Sequence, residues 1–233
     1  MTLKGKGAIY MKRIKLSDRR LPDYTIGEEI MNMVTHIVGG ALGLAALVLC
    51  VLRAISWGTI LSVIGCTVYG VSIVALYTVS SVYHGLRPGM GKKVLQVIDH
   101  CTIYFLIAGT YTPILLSVFV PAYPMIGWGL LVAQWVLGAL AATLTAIDLK
   151  KYTVFSMICY IGMGWGIIFF LRQTIELMTV PGFSLLLSGG IAYTIGAVLY
   201  GIGSKKRWMH SVFHIFVVIG SLLQFLAIYF FAL

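Results

Sequence analysis

The stretch KKRWMHSVFHIF, residues 205–216, runs three cations and two histidines straight into an apolar segment that continues to residue 232. A helix that crosses the hydrocarbon core of a bilayer needs about 20 mostly apolar residues. This segment supplies them, and cations that stop at its edge are what a membrane interface selects. Working outward from it, six more segments meet the same criterion: 33–54, 58–84, 95–119, 125–147, 153–172 and 182–203, with the seventh at 209–232. The expectation is an all-α polytopic membrane protein with seven transmembrane helices. Connections are short and leave no room for a second domain. The division is a basic N-terminal segment, 1–32, and a seven-helix transmembrane domain, 33–233.

Composition agrees. The chain is 60% hydrophobic and 10% charged, whereas a soluble domain carries about 25% charged residues. The net charge of +10 would suit nucleic acid if it were spread over a soluble surface. Here the cations sit beside apolar spans, which points to the anionic inner face of a membrane and away from nucleic acid. No secretory signal peptide is expected, because the first span follows a long basic segment, lacks a small-residue cleavage site and is succeeded by further spans. Cys50, Cys66, Cys101 and Cys159 all fall in apolar segments without metal-type spacing. They read as reduced packing residues. Gly39 and Gly43, four apart in span one, read as a close helix contact.

Lysine and arginine positions set the orientation. Before span one lie Lys4, Lys6, Lys12, Arg13, Lys15, Arg19 and Arg20. After span two come Arg87, Lys92 and Lys93, after span four Lys150 and Lys151, and after span six Lys205, Lys206 and Arg207. Only Arg53 and Arg172 fall on the other side. The N-terminus is therefore expected in the cytoplasm and the C-terminus outside, the reverse of a seven-helix G-protein-coupled receptor.

Ionisable groups inside a span cost about 2.5–3.5 kcal/mol each on insertion scales and mark function by default. All five histidines fall at cytoplasmic span ends: His36 opens span one, His84 closes span two, His100 opens span three beside Asp99, and His210 and His214 open span seven. Helical rise places His84, Asp99 and His214 about 5–10 Å inside the nearest loop cation, in one layer. Residues four apart share a helix face, so His210 and His214 can bind one metal ion from the same side. A catalytic zinc takes three protein ligands and leaves a position for water, and His84 is the best third ligand. Asp99, read as the sole carboxylate well within a span, suits a proton acceptor near the metal. Ser80 lies one turn before His84 on the same face, with Ser81 as its competitor. His36 and His100 read as supporting or structural.

These residues resemble the hemolysin III proteins, bacterial relatives of the progestin and adipoQ receptors, which include the adiponectin receptors and fall in a wider group with alkaline ceramidases. Glu29, Asn32 and His36 of EIMNMVTH form one motif, Ser80, His84 and Asp99 a second, and His210 and His214 a third. The run DHCTIYFLIAGTYTP, residues 99–113, is also similar to the family. The likeness covers all seven spans. It implies a seven-helix fold with a zinc ion near the inner leaflet, held by His84, His210 and His214, with water near Asp99 and with Ser80 in the same site. It implies a supporting role for Glu29, Asn32 and His36. Hydrolysis of the ceramide amide is associated with the receptor relatives, and a cytolytic activity with the hemolysin III name.

The leading expectation is a zinc-binding protein of the cell membrane that hydrolyses a lipid amide or ester. Asp99 and Ser80 are its catalytic candidates and a membrane lipid its partner. The alternative is a membrane sensor or receptor in which zinc is structural. A pore-forming cytolysin ranks behind both, because polar groups clustered at one end do not line a path through the membrane.

Overall fold

The structure is a computed structural model that describes residues 14–203 and 206–233. Lys4, Lys6, Lys12, Arg13 and Lys205, all used above for orientation, lie outside the described residues. Among those described the chain is helical, without a strand. The main helices are α1 (Ile26–Trp57), α2 (Ile60–Gly85), α3 (Met90–Ile114), α4 (Pro124–Ile147), α5 (Thr153–Gly164), α6 (Leu171–Gly203) and α7 (Met209–Phe231). Helix α3 runs on through a π turn, Leu115–Phe119, to Ala122, and a 3-10 stretch, Gly166–Phe170, joins α5 to α6. Six segments are long and apolar enough to cross a membrane, the fifth being the 50-residue run Thr153–Ile202.

Local chemistry explains the boundaries. Helix α1 begins seven residues before the expected 33, at a capping box. Glu28 N donates to Thr25 Oγ1 at 3.3 Å, and Thr25 N donates to Glu28 Oε2 at 2.9 Å. Such reciprocal bonds satisfy two of the donors that a helix start leaves open. Thr59 and Ser62 start α2 in the same way. Helix α3 begins at Met90 instead of 95, so Lys92 and Lys93 are helical and not loop residues.

Expected spans five and six fall within the single run Thr153–Ile202. Thr179 interrupts it with φ 63° and ψ 170°, a conformation that a β-branched residue rarely adopts. Trp165 Nε1 donates to Thr194 Oγ1 at 3.0 Å. In a straight helix these residues would stand about 43 Å apart, so the run folds back on itself at Thr179.

The bundle is apolar outside, and polar groups are buried among the apolar side chains of its core. Large apolar side chains such as Leu140, Ile158 and Phe230 are more than half exposed, while Asn32, Thr145, Thr174 and Ser221 have no exposed surface. A lipid-facing protein places its groups this way, because water-like partners exist only inside the bundle. Helices α1 and α2 meet through Gly39, where an added Cβ would come within 2.4 Å of the Tyr77 ring. Tyr77 is fully buried, and its hydroxyl donates to Ser221 Oγ on α7 at 2.8 Å. All four cysteines are free, Cys50 and Cys66 fully buried, in keeping with packing residues.

Candidate metal centre

Three histidines converge where α1, α2 and α7 meet. One ring nitrogen each from His84, His210 and His214 lies within 4.8 Å of the other two. The last turn of α2 carries His84, and the first two turns of α7 carry the pair. His210 Nε2 and His214 Nε2 face one another at 3.0 Å, and His84 Nε2 is buried without a hydrogen-bond partner. His84 and His214 are 2% and 1% exposed, His210 9%.

Helix α1 holds these rings in place. Glu29 Oε2 lies 2.6 Å from His84 Nδ1, which leaves Nε2 to face the cluster. The backbone carbonyl of Asn32 lies 3.3 Å from His214 Nδ1. The Asn32 side chain accepts from Ser211 Oγ at 2.6 Å and its amide nitrogen stands 3.4 Å from His84 Nδ1. His36, one turn on, stacks on the His214 ring at 3.7 Å and 15°, and both its nitrogens are buried without partners. The motif Glu29, Asn32, His36 is thus one face of α1 laid against the histidines of two other helices.

Several contributors were not expected. Lys92, counted above as a loop cation, is 4% exposed, and its Nζ donates to Glu29 Oε1 at 2.6 Å and to the Leu86 carbonyl at 2.9 Å. Glu28 and Glu29 lie in the first turn of α1, so carboxylates besides Asp99 belong to the helices at this end. Glu28 Oε1 accepts from Trp208 N at 2.7 Å, tying the start of α7 to the start of α1. Trp208 itself has φ 67°. Tyr24 stacks on His210 at 5.0 Å and 19°, and burial raises its phenol pKa, so it stays neutral. The α1 capping box was the one available signal for Glu28. For Lys92 the signal was a lysine seven residues before Asp99, on the same face of α3.

Asp99 and Ser80 are not part of the three-histidine cluster but line the same cavity as His36, His210 and His214, of about 180 Å³. Ser80 faces this cavity together with Asp99. Ser81 instead back-bonds to the Tyr77 carbonyl at 2.7 Å, which separates the two serines. His100 turns away, with Nδ1 2.8 Å from the Gln96 carbonyl and Nε2 3.1 Å from the Tyr200 hydroxyl. Beyond Asp99 the cavity is walled by apolar side chains, including Leu106, Ile107, Ile167 and Leu186.

The donor set fits a metal ion. Three neutral imidazoles suit zinc and other first-row ions. A hydrogen-bond partner on the far nitrogen of a ligand histidine is the usual way its orientation is set. Here Glu29 and the Asn32 carbonyl supply that partner for His84 and His214, and the near nitrogen of His84 is the buried orphan.

The family described as Haemolysin-III related matches residues 24–225. The chain is 38% identical to Hemolysin-3 of Bacillus cereus over 208 residues, covering 89% of this chain and 93% of that protein. It is 36% identical to the Hemolysin-3 homolog of Bacillus subtilis (strain 168), covering 89% and 96%. A more distant likeness, 26% identity over 170 residues, connects it to the human monocyte to macrophage differentiation factor, with 70% of this chain and 68% of that protein covered. The residues from Tyr24 to Phe225 contain every side chain of the histidine centre, and the chain belongs to the haemolysin-III-related family.

Proposed function

We propose that the chain is a seven-span protein of the plasma membrane that holds zinc and hydrolyses a lipid amide or ester near the cytoplasmic leaflet. One observation carries the reading: the buried, partnerless His84 Nε2 faces His210 and His214, while Glu29 holds its far nitrogen. A buried polar atom without a partner is costly, and a metal ion at that point satisfies it. The fold-back at Thr179 supports reading the run Thr153–Ile202 as two crossings. Arg87, Lys93, Lys150, Lys151, Lys206 and Arg207 then share the histidine end, which the positive-inside rule assigns to the cytoplasm. A reporter at the C-terminus that is active only outside the cytoplasm supports this orientation, and one active only inside contradicts it.

Zinc held by the three histidines would supply Lewis acidity and lower the pKa of water to near neutrality. Asp99 stands in the same cavity, beside Ser80, and takes up the proton released as water attacks the acyl carbon. It returns that proton to the leaving nitrogen or oxygen. The apolar walls receive the acyl chain and exclude bulk water, so that polar groups at the closed end act in a low dielectric. Glu29 and Asn32 fix the imidazoles, and Lys92 holds Glu29 in place.

A second reading has its own support. The network joins α1, α2 and α7 through buried polar contacts, which suits a structural metal in a membrane sensor. Purified zinc-loaded protein, incubated with a panel of lipid amides and esters, separates the two. Turnover that disappears in Asp99→Asn with zinc retained supports the hydrolase. Zinc-replete protein without turnover on the whole panel leaves the structural metal.

A further inference from the structure

A second cavity, of about 560 Å³, opens at the histidine-bearing end and shares His100, Met157, Tyr160 and Tyr200 with the inner one. One wall is the segment from Ile14 to Pro22, which precedes α1, and the others come from α3, α5 and α6. The segment is pinned at two points. Ile14 N donates to Asp148 Oδ2 at 3.3 Å, and Lys93 Nζ donates to the Ser17 carbonyl.

Arg19, Arg20 and Lys150 line this cavity against a single carboxylate, Asp18. Asp18 accepts from Ser17 Oγ at 2.9 Å. The nearby Asp148 is taken by two backbone donors, Ile14 N and Lys151 N, the latter at 3.1 Å. Among the described residues the Arg19 guanidinium makes no ion pair and no hydrogen bond, although the residue is half-buried. Burial lowers its pKa and Asp148 opposes that shift. With no acceptor among the described residues, its N–H donors remain available to a ligand in the cavity. Gln96 is a second group without a partner: it lines the cavity, is 7% exposed, and its Oε1 has no hydrogen bond. Its amide nitrogen is the donor it can offer to an anion in the cavity. The positive-inside preference accounts for cations at this end, but not for a half-buried arginine without an acceptor among the described residues beside an unsatisfied amide.

We propose that this cavity is an oxyanion site that binds a phosphate group through Arg19, Arg20, Lys150 and Gln96. The planar guanidinium fork matches a phosphate with two parallel N–H···O bonds, and lysine adds a point charge. The phosphate is that of an anionic lipid headgroup or free phosphate, and both present the same oxygens. A headgroup here stands one layer of side chains from the cavity that Asp99 lines, with His100, Tyr160 and Tyr200 between.

Full-length protein in nanodiscs tests the site through thermal stability and binding, without reference to turnover or metal content. Failure here leaves the hydrolase reading untouched. One arm compares phosphatidylglycerol with phosphatidylcholine discs; the other titrates inorganic phosphate into phosphatidylcholine discs. A gain in phosphatidylglycerol alone identifies the headgroup, and saturable binding of inorganic phosphate identifies the free ion. In either case Arg19→Gln weakens the effect at least about tenfold, the equivalent of about 1.4 kcal/mol. Lys150→Gln, on an exposed side chain, weakens it less, and Arg87→Gln, outside the cavity, leaves it unchanged. The proposal is overturned if neither probe acts on the wild type, or if Arg87→Gln reduces the effect as much as Arg19→Gln and Lys150→Gln do. Should Arg19→Gln fail to fold, Lys150→Gln against Arg87→Gln decides alone.

Discussion

Replacing Glu29 by glutamine probes the centre without touching a proposed ligand. The carboxylate faces Lys92 Nζ and His84 Nδ1 at once, each at 2.6 Å. Glutamine keeps the size but has one acceptor and one NH₂, so one of its two neighbours meets a donor where it had an acceptor. Removing one partner of a buried ion pair costs about 3–5 kcal/mol. Two features reduce that here: the Glu29 side chain is 20% exposed, and Lys92 keeps the Leu86 carbonyl at 2.9 Å and the His84 carbonyl at 3.4 Å. The expected loss is about 2 kcal/mol, a factor of roughly 30 in the folded-to-unfolded ratio. Metal affinity should fall about 10–100-fold, because His84 loses the group that orients it. Unfolding in mixed micelles and competition with a chelator measure the two effects. A cycle of Glu29→Gln, Lys92→Met and the double variant should show a coupling of about 1–2 kcal/mol. Wild-type stability and wild-type metal retention in Glu29→Gln, or no coupling in the cycle, would refute the reasoning.

Other expectations follow from the same geometry. Asp99→Asn should retain the metal, since Asp99 is outside the cluster, and should lower lipid hydrolysis by about 10²–10⁴-fold, the usual contribution of a general base. Gly39→Ala should destabilise by about 1–3 kcal/mol, because its Cβ would lie 2.4 Å from the fully buried Tyr77 ring; a thermal shift against wild type reads it. Tyr77→Phe should cost about 1–3 kcal/mol by removing the donor to Ser221. The same assay should show Tyr77→Phe leaving metal content unchanged.

The membrane character and the histidine cluster were legible in the sequence because both rest on periodicity. Apolar runs mark the helices, and the four-residue spacing of His210 and His214 puts both rings on one face. His84 came from another helix by depth alone, and the structure brings it to the same point. The start of α1 was hidden because Glu28, Glu29 and Asn32 lower the hydropathy of a segment whose polar face is buried against α2 and α7. Lys92 was misread for a related reason: a cation next to a loop looks like an interface anchor until its carboxylate partner is known. The fold-back at Thr179 does leave a trace, since Arg172, Gln173, Glu176 and Pro181 interrupt the apolar run between the expected spans 153–172 and 182–203. The roles of Asn32 and Ser211 depend on contacts 179 residues apart in the chain, which no local pattern carries.

The central claim is that His84, His210 and His214 hold one metal ion. Elemental analysis of the purified protein, with X-ray absorption at the zinc edge and a His84→Ala comparison, tests it most directly. The account predicts one zinc per chain with nitrogen ligands at about 2.0–2.1 Å, and near-complete loss of zinc in His84→Ala. A wild-type protein without metal, or a His84→Ala variant with its full complement, would contradict it.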